Sequence, residues 1–235
     1  MPFKDFKLLT FDVVGTLIDF EKGILDAFRQ IGGKAAEGLS DDDLFAPYLD
    51  ARVEHPGRSS QVMAEVYLYV ARKLDLPVDG GSADAFQIAV LRWPAFEDSA
   101  EALKRLRRHF RLVAMTNADR VAFSAYSHTL GNPFHDAVTM DDARCAKPDP
   151  RFFSHNLGRQ SAFGYRQEDI LHVAQSQYHD IGVARSLGYK ACWIERRMHQ
   201  EGYGGTPHPG EVTTPDFHFA TLAALADAVE AEFGG

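Results

Sequence analysis

Cysteine is scarce in this sequence: among 235 residues only Cys145 and Cys192 carry a thiol. Neither falls in a Cys-x-x-Cys pair, so a structural zinc site is not expected, and two such thiols are most simply read as free. Cys145 lies two residues before Lys147, which sets thiol chemistry there beside the plainer reading of a packed cysteine. Long apolar runs are missing as well. The longest fall far short of the ~20 residues needed to span a bilayer, so no membrane association is expected. The opening Met1-Pro2-Phe3-Lys4-Asp5 lacks the hydrophobic region of a signal peptide, and a cytoplasmic protein is the expectation. Basic residues are not in surplus either. Twenty-five Lys and Arg against 33 Asp and Glu give a formal net charge of -8, which argues against a nucleic-acid partner. A local basic pocket for a small anion remains compatible with that charge. Internal repeats and low-complexity tracts are absent.

Hydrophobic residues at 45% and charged residues at 25% are an ordinary globular composition, enough for one large domain or one domain with an insertion. The most informative stretch is Lys7 to Asp19. Leu8-Leu9-Thr10-Phe11 is a short apolar run that reads as a buried strand. It ends in Asp12, followed by Val13-Val14-Gly15-Thr16. A carboxylate leaving a buried strand sits at the carboxyl edge of a sheet, where open α/β folds bind ligands. Gly15 allows close backbone approach, and the Thr16 hydroxyl can donate to an anion or a carboxylate. On these residues alone, Asp12 reads equally well as a helix cap at a turn.

After this strand, Ile24, Ala27, Phe28 and Ile31 recur at helical spacing, and Gly32-Gly33 stops that helix. Asp41 to Val53 is helical with Ser40 as cap, and His55-Pro56-Gly57-Arg58-Ser59-Ser60 breaks the pattern. Val62 to Leu74 forms a third helix. Asp79-Gly80-Gly81-Ser82 is a loop and cap, and a fourth helix runs to about Arg92. No strand pattern occurs between residues 20 and 92. Pro94 marks the return of alternating elements. Strands are expected at Leu112–Thr116, Ala137–Met140, Ile170–Ala174 and Ala191–Glu195. Helices are expected at Ser99–His109, Val121–Thr129, Pro150–Phe163, Ile181–Leu187 and Thr221–Phe233. Such alternation predicts an α/β fold with a parallel sheet covered on both faces. Gly202 to Gly210 reads as a surface loop.

Three further stretches stand out. Leu112-Val113-Ala114-Met115-Thr116-Asn117 is an apolar run ending in a hydroxyl. Ala146-Lys147-Pro148-Asp149-Pro150 puts one lysine before a helix start. Ile170-Leu171-His172-Val173-Ala174-Gln175-Ser176-Gln177-Tyr178-His179-Asp180 ends in a carboxylate. Asp12, Thr116, Lys147 and Asp180, in this order and spacing, resemble the haloacid dehalogenase superfamily over nearly the whole chain. Each motif alone is weak; the four together are specific. The resemblance implies a Rossmann-like core of residues 1–19 and 93–235, with an all-helical cap domain, residues 20–92, inserted after the first strand. It also implies that Asp12 is a nucleophile forming an aspartyl ester, with Lys147 supplying the charge that holds it ionised. Lys147 could otherwise be a solvated lysine before a proline turn.

Position 14 bears on the reaction class. The phosphatase branch carries a second aspartate there, and Val14 can donate no proton. The dehalogenase branch usually has tyrosine there, so Val14 departs from both patterns, but it is chemically incompatible only with the phosphatase one. Ala174-Gln175 replaces the phosphatase Gly-Asp. Asp12 and Asp180 beside Lys147 make a poor site for a hard cation, so no metal and no cofactor are expected.

In the dehalogenases the aspartate matching Asp180 holds the lysine and activates water. Gln175, Ser176 and Gln177 could bond that water or the lysine; alternatively Ser176 is a helix cap and the glutamines point outward. Thr116 and Asn117 stand where the family has a hydroxyl residue and an asparagine, and both could bind the substrate carboxylate, helped by backbone N–H groups at a helix start. Phe153 replaces a tyrosine and so lacks its hydroxyl. Arg52, in the expected cap, is the candidate for the substrate carboxylate or halide, and an exposed, salt-bridged arginine is the alternative. His179 reads as a titrating partner or as a surface histidine.

The expected activity is hydrolysis by substitution at C-2 of a small carboxylic acid, with 2-haloacids first. Ring opening of azetidine-2-carboxylate by the same chemistry comes second. A metal-dependent phosphatase is disfavoured by Val14 and Gln175. A small-acid-binding protein without catalysis is disfavoured by the joint presence of Asp12, Thr16, Lys147 and Asp180. The expected partner is the small acid alone; a homodimer stays open, since the sequence does not give the oligomeric state.

Overall fold

A computed structural model describes residues 1–234. The first strand, β1 (Leu8–Phe11), is buried at every residue. The chain then enters helices α1 (Phe20–Gly32), α2 (Asp41–Glu54), α3 (Ser59–Lys73) and α4 (Gly80–Ala89) before it re-enters the sheet. From there α5 (Ser99–Leu106), β2 (Arg111–Thr116), α6 (Arg120–Thr129), β3 (Asp136–Thr139), α7 (Met140–Ala143) and α8 (Pro150–Ser161) follow. The chain closes with β4 (Ile170–Ala174), α9 (Gly182–Ser186), β5 (Lys190–Ile194), β6 (Phe217–Phe219) and α10 (Leu222–Phe233). Among the described residues no helix is long and apolar enough to cross a membrane.

All six strands are parallel, in the order β3-β2-β1-β4-β5-β6. This Rossmann-like order has its switch point between β1 and β4, where chain direction across the sheet reverses and a crevice opens at the carboxyl ends. The strand period of two sorts side chains between two covered faces. Leu9, Phe11, Leu112, Ala114, Leu171 and Val173 join a core with Leu103, Leu106, Leu225 and Val229 of α5 and α10. Leu8, Val113, Met115, Ile170 and Ala174 face the opposite way, onto Phe152 and Phe153 of α8 and Ala184 of α9.

The helical layer after β1 shares the first of these cores. Ile24, Phe28, Val66, Tyr67, Val70 and Phe86 are buried in it, with Phe28 and Phe86 rings 4.5 Å apart. Burying each such aromatic side chain contributes roughly 1.5–3 kcal/mol. The caps are local and legible. Ser40 and Asp43 form a reciprocal capping box at α2, and the Asp19 carboxylate accepts the Lys22 N–H at α1.

Besides the short α7, which takes Met140 from the expected strand, three elements differ from the sequence expectation. Helix α4 starts at Gly80 despite two glycines, because Asp79 caps it by accepting the Ser82 N–H. Strand β6, only three residues long, has no apolar run to announce it and forms because β5 offers an open edge. The helix expected from Ile181 is preceded by a π-helical turn, Gln177–Ile181, in which the Ile181 N–H reaches Ser176 O. One extra residue in a turn re-aims the side chains after it, here Asp180.

Candidate active site

Asp12 follows β1 directly, its N–H still bonded to Val173 O of β4. Gly15, at φ +91°, turns the chain so that Thr16 comes back beneath the carboxylate. The Thr16 hydroxyl donates to Asp12 Oδ2 at 2.6 Å and accepts the Gln175 N–H at 2.8 Å. This ties the β1 turn to the end of β4.

Lys147 arrives from the loop between α7 and α8. The Asn117 side chain clamps its backbone from both sides: Nδ2 donates to Lys147 O at 2.9 Å, and Lys147 N–H donates to Oδ1 at 2.7 Å. The ammonium then has three acceptors for its three protons: Asp12 Oδ1 at 2.8 Å, Asp180 Oδ1 at 2.6 Å and Met115 O at 2.7 Å. Lys147 is buried, as are both carboxylates.

Asp180 Oδ1 accepts a second bond, from His172 Nε2 at 3.0 Å. His172 is fully buried on β4, and its Nδ1 lies 2.8 Å from the Thr10 hydroxyl, its register partner on β1. Asp180 Oδ2 is buried with no partner among the described residues.

Burial sets the electrostatics, because two carboxylates and one ammonium share a dry space. Desolvation pushes Asp12 above its ordinary range, Lys147 opposes this, and Asp180 adds to it. Desolvation also works against ionised Asp180, but Lys147 and the His172 bond prevail and hold it well below the usual carboxylate range. Desolvation disfavours the charged Lys147, yet the two carboxylates outweigh it and raise its pKa. Of the two carboxylates, Asp12 is the one pushed toward its protonated form.

A cavity of about 200 Å³ opens over Asp12, Lys147 and Asp180. Its floor includes Val14, Thr116, Asn117 and Ser176, and its upper wall is Phe20, Tyr48, Arg52 and Trp93, with Tyr126 of α6 beside them. Arg52 forms no ion pair among the described residues; its guanidinium donates to Gly57 O at 3.2 Å, with His55 O at 3.5 Å. Burial raises Tyr48 to about 12 and Tyr126 well above its ordinary value, so both hydroxyls keep their protons. Two larger grooves, of about 720 and 760 Å³, flank α1. Neither contains Asp12, Lys147 or Asp180, so the smaller cavity is where chemistry can occur.

The structure thus brings together Asp12, Thr16, Lys147 and Asp180, and sets Val14, Arg52, Thr116, Asn117 and Ser176 around the cavity. The other expected contacts lie elsewhere. Phe153 is in the core beneath the sheet, its ring edge-on to His172 at 5.1 Å between centroids. Gln177 pairs through both amide atoms with the Thr213 backbone. Gln175 Oε1 accepts from the Thr206 hydroxyl at 3.3 Å, outside the cavity. Although Asn117 borders the cavity, its amide is spent on Lys147. Ser176 caps the π turn by accepting the His179 N–H at 2.9 Å.

His179 is not a surface residue; it is half-buried on the cavity wall, and burial lowers its pKa. The loop at Gly202–Gly210 is more than a surface excursion. Gly205 and Thr206 line the cavity, and Glu21 of α1 accepts the Gly205 N–H at 2.8 Å. The sequence reading missed His172 and the aromatic wall of Phe20, Tyr48, Trp93 and Tyr126. A lone histidine inside an apolar strand was the available signal for the first. Among the described residues no group of three or more His, Cys, Asp or Glu side chains is placed to hold a metal ion.

Comparison with known proteins bears on the family and the fold. Residues 6–188 match the haloacid dehalogenase-like hydrolase family. The chain is 28% identical over 234 residues to haloacetate dehalogenase H-2 of Moraxella sp. (strain B), spanning 96% of this chain and 99% of that one. It is 23% identical to (S)-2-haloacid dehalogenase 4A of Burkholderia cepacia, over 87% of this chain and 89% of the relative. In fold it is similar to L-2-haloacid dehalogenase from Xanthobacter autotrophicus with chloropropionic acid covalently bound. There the TM-score is 0.67 at 19% identity, covering 96% of this chain and 98% of the other.

Proposed function

This chain belongs to the haloacid dehalogenase-like hydrolases, and from that membership we propose that it hydrolyses small 2-haloacids through an ester on Asp12. One observation carries the reading. Asp12 is held by Thr16 and Lys147 at the floor of a small, aromatic-walled cavity, with Val14, not an acid, two residues on. A halide leaves as a stable anion and needs no proton, so a valine there is no handicap. The dimensions suit an acid of two or three carbons, and the curated relatives are named for haloacetate and 2-haloacids.

In the proposed reaction the substrate carboxylate meets the Arg52 guanidinium and the Thr116 hydroxyl; the N–H groups that open α6 are taken by Asp119 and Asp141. Asp12 attacks C-2 and the carbon–halogen bond breaks, its electron pair leaving with the halide. Thr16 and Lys147 hold the carboxylate ionised and aimed. Asp180 then takes a proton from water, and the water oxygen adds to Asp12 Cγ. The 2-hydroxy acid departs with the proton from Asp180, and the restored Asp12 carboxyl releases a proton to solvent. Residues 20–92 act as the cap that excludes water while the ester forms.

Ring opening of azetidine-2-carboxylate is less well supported, because Arg52 on the cavity wall repels the ammonium that the reaction would generate. The test is a single turnover in ¹⁸O-water with enzyme in excess, run on chloroacetate and (S)-2-chloropropionate. First-turnover product should be unlabelled at its new hydroxyl, and Asp12 should acquire label over many turnovers. Product labelled in the first turnover would make water the direct nucleophile and end the ester reading.

A further inference from the structure

His172 is a costly residue where it stands. Strand β4 is otherwise apolar and buried at every position, and a polar ring there loses its hydration. An apolar side chain would fill the same space against Phe153 and Tyr189, which already pack together at 5.6 Å between ring centroids. What the imidazole adds is direction. A carboxylate only accepts hydrogen bonds, so the Nε2 that lies 3.0 Å from Asp180 Oδ1 carries a proton. Nδ1 meets the Thr10 hydroxyl at 2.8 Å, which fixes the ring plane. Oδ1 of Asp180 is then filled by both Lys147 and His172. Oδ2 is left buried and unpartnered on a residue that borders the cavity.

We propose that His172, oriented by Thr10, is a positioning residue for the second half of the reaction: it holds Asp180 so that Oδ2 alone is left without a partner to take the proton of the attacking water. The proposal rests on the Asp12-ester reading above. The two steps make different demands on Asp180. For ester formation it need only help anchor Lys147, which Asp12 and Met115 also hold. For ester hydrolysis its free oxygen must take a proton from the water whose oxygen bonds to Asp12 Cγ, and return that proton to the departing alkoxide. An Asp180 free to rotate would offer either oxygen to Lys147 and lose the second function before the first.

The experiment is rapid-quench single turnover of the full chain with chloroacetate. The adduct is located on the peptide containing Asp12 and distinguished from any thiol adduct on Cys145 by release with hydroxylamine. His172→Phe keeps a ring in the space; it should form the ester at close to the native rate and hydrolyse it about ten- to a hundredfold more slowly. That range corresponds to loss of a hydrogen bond to a charged group. The adduct should accumulate. His172→Gln, whose amide can reach Asp180, should restore much of the hydrolysis rate. Should His172→Phe fail to fold, Thr10→Val, which keeps the ring and removes only its hydroxyl partner, should slow the same step several-fold.

Hydrolysis at the native rate in the folded variants would overturn the proposal, as would equal slowing of both steps or a Gln variant no better than Phe. Asp180→Asn serves as the trap. If it accumulates no adduct on Asp12 and the native chain shows none, the ester reading itself fails. An adduct that forms and clears normally in His172→Phe defeats the positioning role alone.

Discussion

The rings of Trp93 and Tyr126 lie parallel, 5.8 Å between centroids and 7° between planes, and the Tyr126 hydroxyl has no hydrogen-bond partner among the described residues. The stack joins the end of the helical layer to α6. It leaves a protonated, buried hydroxyl on a residue that lines the cavity.

An unpaired buried hydroxyl is a liability until a ligand meets it. Tyr126→Phe should therefore leave thermal stability unchanged or raise it by up to about 1 kcal/mol, while kcat/KM for 2-haloacids falls by roughly tenfold, the worth of one such bond. Unchanged kcat/KM would show that the hydroxyl never meets substrate.

Both amide atoms of Asn117 bond the Lys147 backbone, and on the proposed reading that residue positions Lys147 rather than binding substrate. Asn117→Ala removes both bonds to the Lys147 backbone, each worth about 1 kcal/mol, and lets the ammonium drift from Asp12. Steady-state kinetics should show kcat falling well beyond any change in KM. A rise in KM with kcat intact would return Asn117 to the substrate.

The acid limb of activity follows from Asp12. Burial raises its pKa, and the protonated carboxyl is no nucleophile. The rate should therefore climb with pH through a value above the ordinary 3.8 and then level off. Because Asp12 and Asp180 are coupled, that value belongs to the pair. Lys147, raised above 10.5, should impose no alkaline limb below that. Initial rates at saturating substrate test this; an acid limb at or below the usual carboxylate range would contradict it.

Chelation should leave activity intact. The two carboxylates a hard cation would need already share the Lys147 ammonium, and a divalent ion would have to displace it. Turnover lost in EDTA and restored by Mg²⁺ would refute the metal-free reading.

Asp12, Thr116 and Asp180 are legible in the sequence because each lies at or beyond the abrupt polar end of an apolar run, and such runs read as buried strands. Lys147 is legible through the Pro-Asp-Pro that follows it. The parallel sheet follows from the alternation of elements, except β6, whose three residues carry no period. What escapes is whatever depends on distant chain meeting. Thr206 lies at the site beside Gly205, whose N–H bonds Glu21 of α1, with Arg197 paired to the same carboxylate at 2.7 Å. Gln177 reads as a site residue by its place before Asp180, but the extra residue of the π turn sends its amide to Thr213. His172 looks like one polar letter in a strand until Thr10 and Asp180 are seen on either side of it.

The shared lysine has a further consequence for the direction of the reaction. Two carboxylates against one ammonium leave the resting triad with one surplus negative charge in a buried site. In the proposed reaction, converting Asp12 to a neutral ester removes that surplus, and the halide carries it away. A halide returning to reverse the step would have to restore the excess charge. On the proposed mechanism the site is an electrostatic ratchet: it is strained when empty, relaxed when loaded, and reset only when hydrolysis gives Asp12 its charge back.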